Sequence, residues 1–221
     1  NDRFGQTVAI EGDYVIVGSP KDDTNTGSVY IFKRSGTSWS QQDKITANNA
    51  GTSDEFGAAI AISGDYVIVG ALLEDTGSVN AGAAYIFKKD SGAETWTQQT
   101  QLQGSSFDND YYFGRSVSIS GDYAIVGADK DHSGGNDAGA AFIFKKDKDA
   151  ETWTEQAKLL ASDIAANDGF GYSVSISGSI AVVGSIYDDS NKGAAYVFRR
   201  SGTTWTEVKK ITKSIPTAGD L

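Results

Sequence analysis

The stretch 113–127, FGRSVSISGDYAIVG, decides the fold. Its first half alternates, with Val117 and Ile119 set between serines, the period-2 mark of a strand with one buried face. A turn on Gly121-Asp122 follows. Tyr123-Ala124-Ile125-Val126 then runs apolar without a break to Gly127, as a strand buried on both faces does. Two such strands joined by a tight turn predict an antiparallel hairpin.

The stretch is not unique. Phe-Gly recurs at Phe4-Gly5, Phe56-Gly57, Phe113-Gly114 and Phe170-Gly171, at spacings of 52, 57 and 57, each time ahead of an alternating segment. The only four tryptophans, Trp39, Trp96, Trp153 and Trp205, keep step with it. A third strand starts at Gly27, Gly82, Gly139 and Gly193 (GSVYIF, GAAYIF, GAAFIF, GAAYVF) and ends on a basic pair. A fourth opens on the Trp. Strict alternation there would place Trp153, Ala157 and Leu159 on one face and Thr154, Gln156 and Lys158 on the other. Each unit reads as a four-stranded antiparallel meander that cannot cover both of its own faces, so copies must stack. The expectation is an all-β fold, a β-propeller of four tandem four-stranded antiparallel blades at about 4–53, 54–110, 111–167 and 168–221. Together they form one propeller domain or a segment of one over 1–221, with the Phe-Gly and Trp side chains packed between blades.

At these residues the chain resembles the FG-GAP repeat, the blade unit of integrin α-chain heads and of many bacterial surface proteins. The second half of that pattern stands as Gly18-Ser19-Pro20, Gly70-Ala71, Gly127-Ala128 and Gly184-Ser185. The resemblance implies a non-catalytic extracellular or cell-surface module, of bacterial type, for adhesion, assembly or a structural role. Integrin-type blades often carry a DxDxDG calcium loop between their first two strands. Here that connection is only Glu11-Gly12-Asp13, Ser63-Gly64-Asp65, Ser120-Gly121-Asp122 or Ser177-Gly178-Ser179, too few oxygens for the six to eight that calcium prefers. The family's calcium site is therefore not carried over.

Composition narrows the chemistry. With no Cys there is no disulfide framework, thiolate metal site or cysteine nucleophile. With no Met, the expectation is a processed chain or a piece of a longer one. No apolar run approaches a membrane span, so no membrane insertion is expected. A net charge of −10 disfavours nucleic acid as a partner.

In a meander the strand two-to-three loops and the inter-blade segments emerge at one edge, and these are the long connections. They hold 17 acids against few bases, among them Arg3, Lys21, Lys130 and Lys192, while the basic pairs lie at the opposite edge. This predicts an acidic loop face for a basic protein partner or a cation, or simply a solvated face that keeps a repetitive β protein soluble. The candidate metal ligands are Asp22, Asp23, Asp129, Asp131, Asp188 and Asp189; no cofactor is expected to be required, with Ca²⁺ bound weakly at most. The candidate ligand or partner face is Tyr111, Tyr112 and Tyr187, with Phe107 beside them, which keeps a carbohydrate-binding, lectin-like reading open. His132, the sole histidine, has no nucleophile-elbow motif near it. A hydrolase using paired carboxylates is the least favoured alternative. The remaining expectation is that the four blades do not close as a free monomer, but self-associate or belong to a longer polypeptide.

Overall fold

The computed structural model describes residues 1–106 and 108–213. The first blade is β1 (Thr7–Glu11), β2 (Tyr14–Ser19), β3 (Ser28–Ser35) and β4 (Ser38–Ile45), with the one-turn helix α1 (Asp22–Asn25) between β2 and β3. The second is β5 (Ala59–Ser63), β6 (Tyr66–Ala71), β7 (Ala83–Lys89) and β8 (Trp96–Leu102). The third is β9 (Ser116–Ser120), β10 (Tyr123–Ala128), β11 (Ala140–Lys146) and β12 (Trp153–Leu159). The fourth is β13 (Phe170–Ser177), β14 (Ile180–Ser185), β15 (Ala194–Ser201) and β16 (Thr204–Ile211), with α2 (Asp188–Asn191) between β14 and β15. Each set is one four-stranded antiparallel sheet in sequential order, the predicted meander.

The first hairpin of every blade pairs directly across two residues, as Glu11 with Tyr14 and Ser120 with Tyr123. Its Gly12, Gly64, Gly121 or Gly178 sits near φ +57°, the positive φ that primed hairpin turns require at their first central position. Innermost strands stack in chain order, β1 on β5, β5 on β9 and β9 on β13. No packing of that extent joins β13 back to β1 among the described residues, so the blades form an arc.

Three hydrophobic cores lie between consecutive blades, not within them. Between the second and third blades, Ile68, Ala84, Ile86 and Leu102 meet Phe113, Val117, Phe142 and Trp153. The aromatics pack edge to face, Phe113 at 5.3 Å from Phe142 and Trp153 at 5.9 Å from Tyr66 of the preceding blade. Phe56, Phe113 and Phe170 are at most 3% exposed.

One detail of the predicted register is corrected. A bulge interrupts every strand three–four pairing, in the third blade between Ile143 and Phe144. The extra residue flips the alternation, so Trp153 shares a face with Phe144, Phe142 and Lys158, while Ala157 and Leu159 face the other way with Ile143 and Ala141. Trp153 and Leu159 accordingly belong to different inter-blade cores. A bulge of this kind re-aims every side chain beyond it.

Candidate functional site

At the loop edge the first, third and fourth blades build the same station. A carboxylate from the two-to-three loop meets a lysine near the end of strand four, directly across from an aromatic of strand three; the cross-strand pairs are Tyr30–Lys44, Phe142–Lys158 and Tyr196–Lys210. Tyr85–Gln101 stands at that register in the second blade, where neither the Tyr85 hydroxyl nor the Gln101 amide nitrogen has a hydrogen-bond partner among the described residues. Asp22 meets Lys44 Nζ at 2.9 Å and accepts the Tyr30 hydroxyl at 2.8 Å. Asp131, fully buried, accepts Lys158 at 2.8 and 3.0 Å, the Ser133 amide at 2.8 Å and the Ser106 hydroxyl. Asp188 accepts Lys210 at 2.8 and 2.9 Å and the Tyr196 hydroxyl. The second blade has no lysine here; Glu74 accepts Asn49 at 2.8 Å and the Thr76 amide at 3.0 Å. Three lysines of strand four thus rise into the acidic loops, and each ammonium group lies against a loop carboxylate.

The electrostatics follow. Hydrogen bonding to Lys44 lowers the Asp22 carboxyl to about 2, and the same contact raises the lysine. Burial pushes Asp131 up, but its bonds from Lys158, Ser106 and Ser133 outweigh this and its pKa is lowered.

The six aspartates proposed as ligands separate into three kinds. Asp22, Asp131 and Asp188 are the ion-paired station residues. Asp23 and Asp189 are exposed, beside Lys44 at 3.3 Å and Lys192 at 2.8 Å. Asp129 differs from all of these. It occupies the register held by Pro20, Leu72 and Ile186 in the other blades, is 4% exposed, and its Oδ1 has no hydrogen-bond partner. Arg115 Nε stands 3.9 Å from its other oxygen. Burial raises its pKa, with Arg115 opposing. Among the described residues no three carboxylate or histidine side chains are gathered as a metal cluster.

Asp129 lies at a cleft of 480 Å³ between the third and fourth blades, with Lys130, Asp137, Asp168 and Tyr187 in its wall. A second cleft, of 580 Å³, lies between the second and third blades and holds Asp108, Asp110, Tyr112 and His132. The Lys130–Asp137 ion pair, at 2.7 Å, is the ridge they share. Of the three tyrosines proposed for the ligand face, Tyr112 and Tyr187 flank this ridge. Tyr111 is buried behind it, packed edge-on against His132 at 5.1 Å. Phe107 and the acid Asp220 lie outside the described residues. His132 Nε2 is 3.4 Å from Asp137, and no serine hydroxyl bonds to it among the described residues.

Two residues escaped the sequence reading. Arg115 and Tyr172 follow Phe-Gly directly, and the Arg115 guanidinium lies over the Tyr172 ring at 4.4 Å. They line a third cleft of 590 Å³ with Arg3, Gln6, Glu55 and Tyr112. The signal was present: the residue after Phe-Gly is Gln6, Ala58, Arg115 or Tyr172, different in every blade of an otherwise repetitive chain.

Tandem four-stranded blades stacked through Phe-Gly joints, with variable residues gathered at the loop edge, define a β-propeller repeat protein of the binding or structural kind. A family described as FG-GAP repeat matches residues 1–32, 39–87, 96–144 and 153–198, and the chain belongs to that family. Among solved structures it is similar to Saccharomyces cerevisiae Sqt1, at 9% identity and a TM-score of 0.54, over 96% of this chain and 49% of the other. At that identity the likeness shows the propeller fold alone, and the chain spans about half the length of that protein. No curated protein matches. No helix among the described residues is long and apolar enough to cross a membrane.

Proposed function

We propose that this propeller is a non-catalytic binding module of an extracellular or surface protein, serving adhesion or assembly. Its ligand end is the acidic loop edge of the second to fourth blades. FG-GAP membership supports the binding role, and the break in symmetry at Asp129 carries the assignment of the site. A buried carboxylate oxygen without a partner costs about 1–3 kcal/mol, and the other three blades avoid that cost with Pro20, Leu72 and Ile186. A ligand donating hydrogen bonds or positive charge offsets it. Tyr112 and Tyr187 supply ring faces on either side for the stem and charge of Lys or Arg, and Asp108, Asp110, Asp137 and Asp168 set a negative field around them. The ligand class that fits is a basic segment of a partner protein. No cofactor is required, and Ca²⁺ binds weakly at most, because lysine ammoniums already neutralise Asp22, Asp131 and Asp188.

A specific observation favours glycans as a second reading: Tyr187 leaves 47% of its surface exposed beside Asn167 and Asp168, an aromatic platform next to hydrogen-bonding groups. Calorimetry with lysine- and arginine-rich peptides, in parallel with neutral oligosaccharides, separates the two. Binding of the peptides, abolished by Asp129→Leu and by Tyr187→Ala and weakened by salt, is expected. Peptide binding indifferent to both substitutions would overturn the site, and saccharide binding lost with Tyr187→Ala alone would replace the ligand.

A further inference from the structure

The three joints between blades are copies of one device, and each end of the arc carries half of it. In every joint a strand-two glycine faces the carbonyl of the next blade's Phe-Gly glycine: a Cβ on Gly18, Gly70 or Gly127 would come within 2.3, 2.1 and 1.9 Å of that oxygen in Gly57, Gly114 and Gly171. Backbone bonds lock the same contact, with the Phe56, Phe113 and Phe170 amides donating at 2.9 Å to the carbonyls of Thr26, Ala81 and Ala138. A hydroxyl of strand one adds to it in two joints, Thr7 to Gly57 at 2.7 Å and Ser116 to Gly171 at 2.8 Å.

The fourth blade presents the donor half with no blade against it among the described residues. Gly184 has no positive φ, and among the described residues a Cβ there would meet the Ser173 side chain and backbone of its own sheet, with no atom of another blade demanding a glycine at that position. Val182, Ala195 and Val197 are only part-buried and Ile211 is 50% exposed, where their counterparts Ile125, Ala141, Ile143 and Leu159 are at most 3% exposed. The first blade presents the acceptor half. Phe4, Val8 and Ile10 are 56, 69 and 67% exposed, whereas Phe113, Val117 and Ile119 stand at 3, 8 and 6%. Trp39 is 44% exposed for want of the ring that Tyr14, Tyr66 and Tyr123 offer to Trp96, Trp153 and Trp205; the residue in that register on the fourth blade is Ile180, 37% exposed.

We propose that these two faces are one interface: the fourth blade of one copy receives the first blade of a second copy, head to tail, through the joint used three times inside the chain. The three internal joints show what covers such a face, namely the Phe-Gly side of a blade of this same kind. Each copy lacks one joint at either end, so two copies placed head to tail supply both missing joints. The result is a closed ring of eight blades, within the range known for propellers, with two-fold symmetry and no unpaired end. Ser173 then donates to the partner's Gly5 carbonyl as Ser116 does to Gly171. Apolar faces of this extent are normally covered in solution.

Light scattering of the 221-residue chain at micromolar concentration tests this. Twice the chain mass is expected for the wild type. Val8→Asp breaks the acceptor face and Ile211→Asp the donor face; each alone is expected to be monomeric, with a circular dichroism spectrum like that of the wild type. An equimolar mixture is expected to regain a dimer, because one intact face remains on each partner. Both substitutions fall on exposed side chains, so the blades themselves tolerate them. A wild-type monomer throughout the micromolar range would overturn the proposal and leave the end faces to blades other than those of a second copy. A dimer surviving in either variant would overturn the head-to-tail pairing, and so would a mixture that stays monomeric. Peptide binding at Asp129 is read separately, since neither Val8 nor Ile211 lines that cleft.

Discussion

Replacing Lys158 by Met removes the ammonium that neutralises Asp131 and keeps most of the stem that packs toward Phe142, whose ring centre is 5.1 Å from the nitrogen. Asp131 is fully buried and receives two of its hydrogen bonds from that ammonium, at 2.8 and 3.0 Å. Breaking a buried pair by deleting one partner leaves an uncompensated charge and typically costs about 3–5 kcal/mol. The Ser133 amide and the Ser106 hydroxyl remain as donors, which places the expected loss near 3 kcal/mol, the lower end of that range. Urea denaturation at pH 7 measures it. The double variant Lys158→Met with Asp131→Leu removes both charges and is expected to recover most of the loss, because replacing a buried pair by apolar groups is often neutral. The penalty is also expected to shrink in acid, where the stranded carboxyl can protonate. A single-variant loss below about 1 kcal/mol, in the range of an exposed ion pair, would refute the reading that lysine rather than an external cation neutralises this loop. So would a double variant no more stable than the single.

Other outcomes follow from the same contacts. Phe113→Ala truncates a side chain 3% exposed and flanked by Phe142 and Phe144; a loss of about 3–5 kcal/mol by chemical denaturation is expected, and a loss under about 1 kcal/mol would contradict a core role. Gly127→Ala drives a Cβ to 1.9 Å from the Gly171 carbonyl, a backbone atom that cannot rotate away; the cost is expected at or above about 3 kcal/mol, the upper end for overpacking, and equal melting temperatures for this variant and the wild type would count against the joint. The pH dependence has two signs. Asp22 titrates at about 2 in the folded chain, and Asp131 is also lowered, so their contribution is complete above the unfolded carboxylate value and lost as pH falls through the folded one. Asp129 is raised by burial, so what it contributes is lost as pH rises through its folded value, and Asp129→Leu is expected to stabilise the chain at pH 7 but not in acid. A pH-independent effect of that substitution, followed by thermal melts, would contradict this.

The strands were legible because their signals are local. Alternation at Val117 and Ile119, an unbroken Tyr123–Val126 and a turn glycine near φ +57° leave little choice of structure, and four copies remove what remains. The stations at the loop edge were not legible, because they depend on the strand-four bulge. Without it Lys158 would face away from Phe142, and nothing in the spacing of TWTEQAKL marks Gln156 as the extra residue. The short helical turn Asp22–Asn25 was hidden for a related reason: Asp23, Thr24 and Asn25 all take positive φ there, which Asp and Asn tolerate but do not announce. The Asp pairs therefore read as candidate ligands, although one member of each turns inward to a lysine.

What distinguishes Asp129 from those pairs is the repeat itself. A position occupied alike in four blades is explained by the contact the blades share, as Phe113 and Gly127 are explained by the joint. A position that departs in one blade has no such explanation, and its energetic sign then becomes informative. Arg115 in place of Gln6 or Ala58 adds a charge that finds Tyr172, so its departure is compensated within the fold. Asp129 in place of Pro20, Leu72 or Ile186 buries a carboxylate oxygen that the fold leaves without a donor. Folding alone favours the apolar residue at this register. Gln101, where the other three blades have lysine, likewise leaves an amide nitrogen without a partner among the described residues, but Asp129 is the carboxylate left so and it lines a cleft. Its compensation is expected from outside the fold, which is why the cleft between the third and fourth blades, rather than the more numerous carboxylates of the ion-paired stations, is assigned to the ligand.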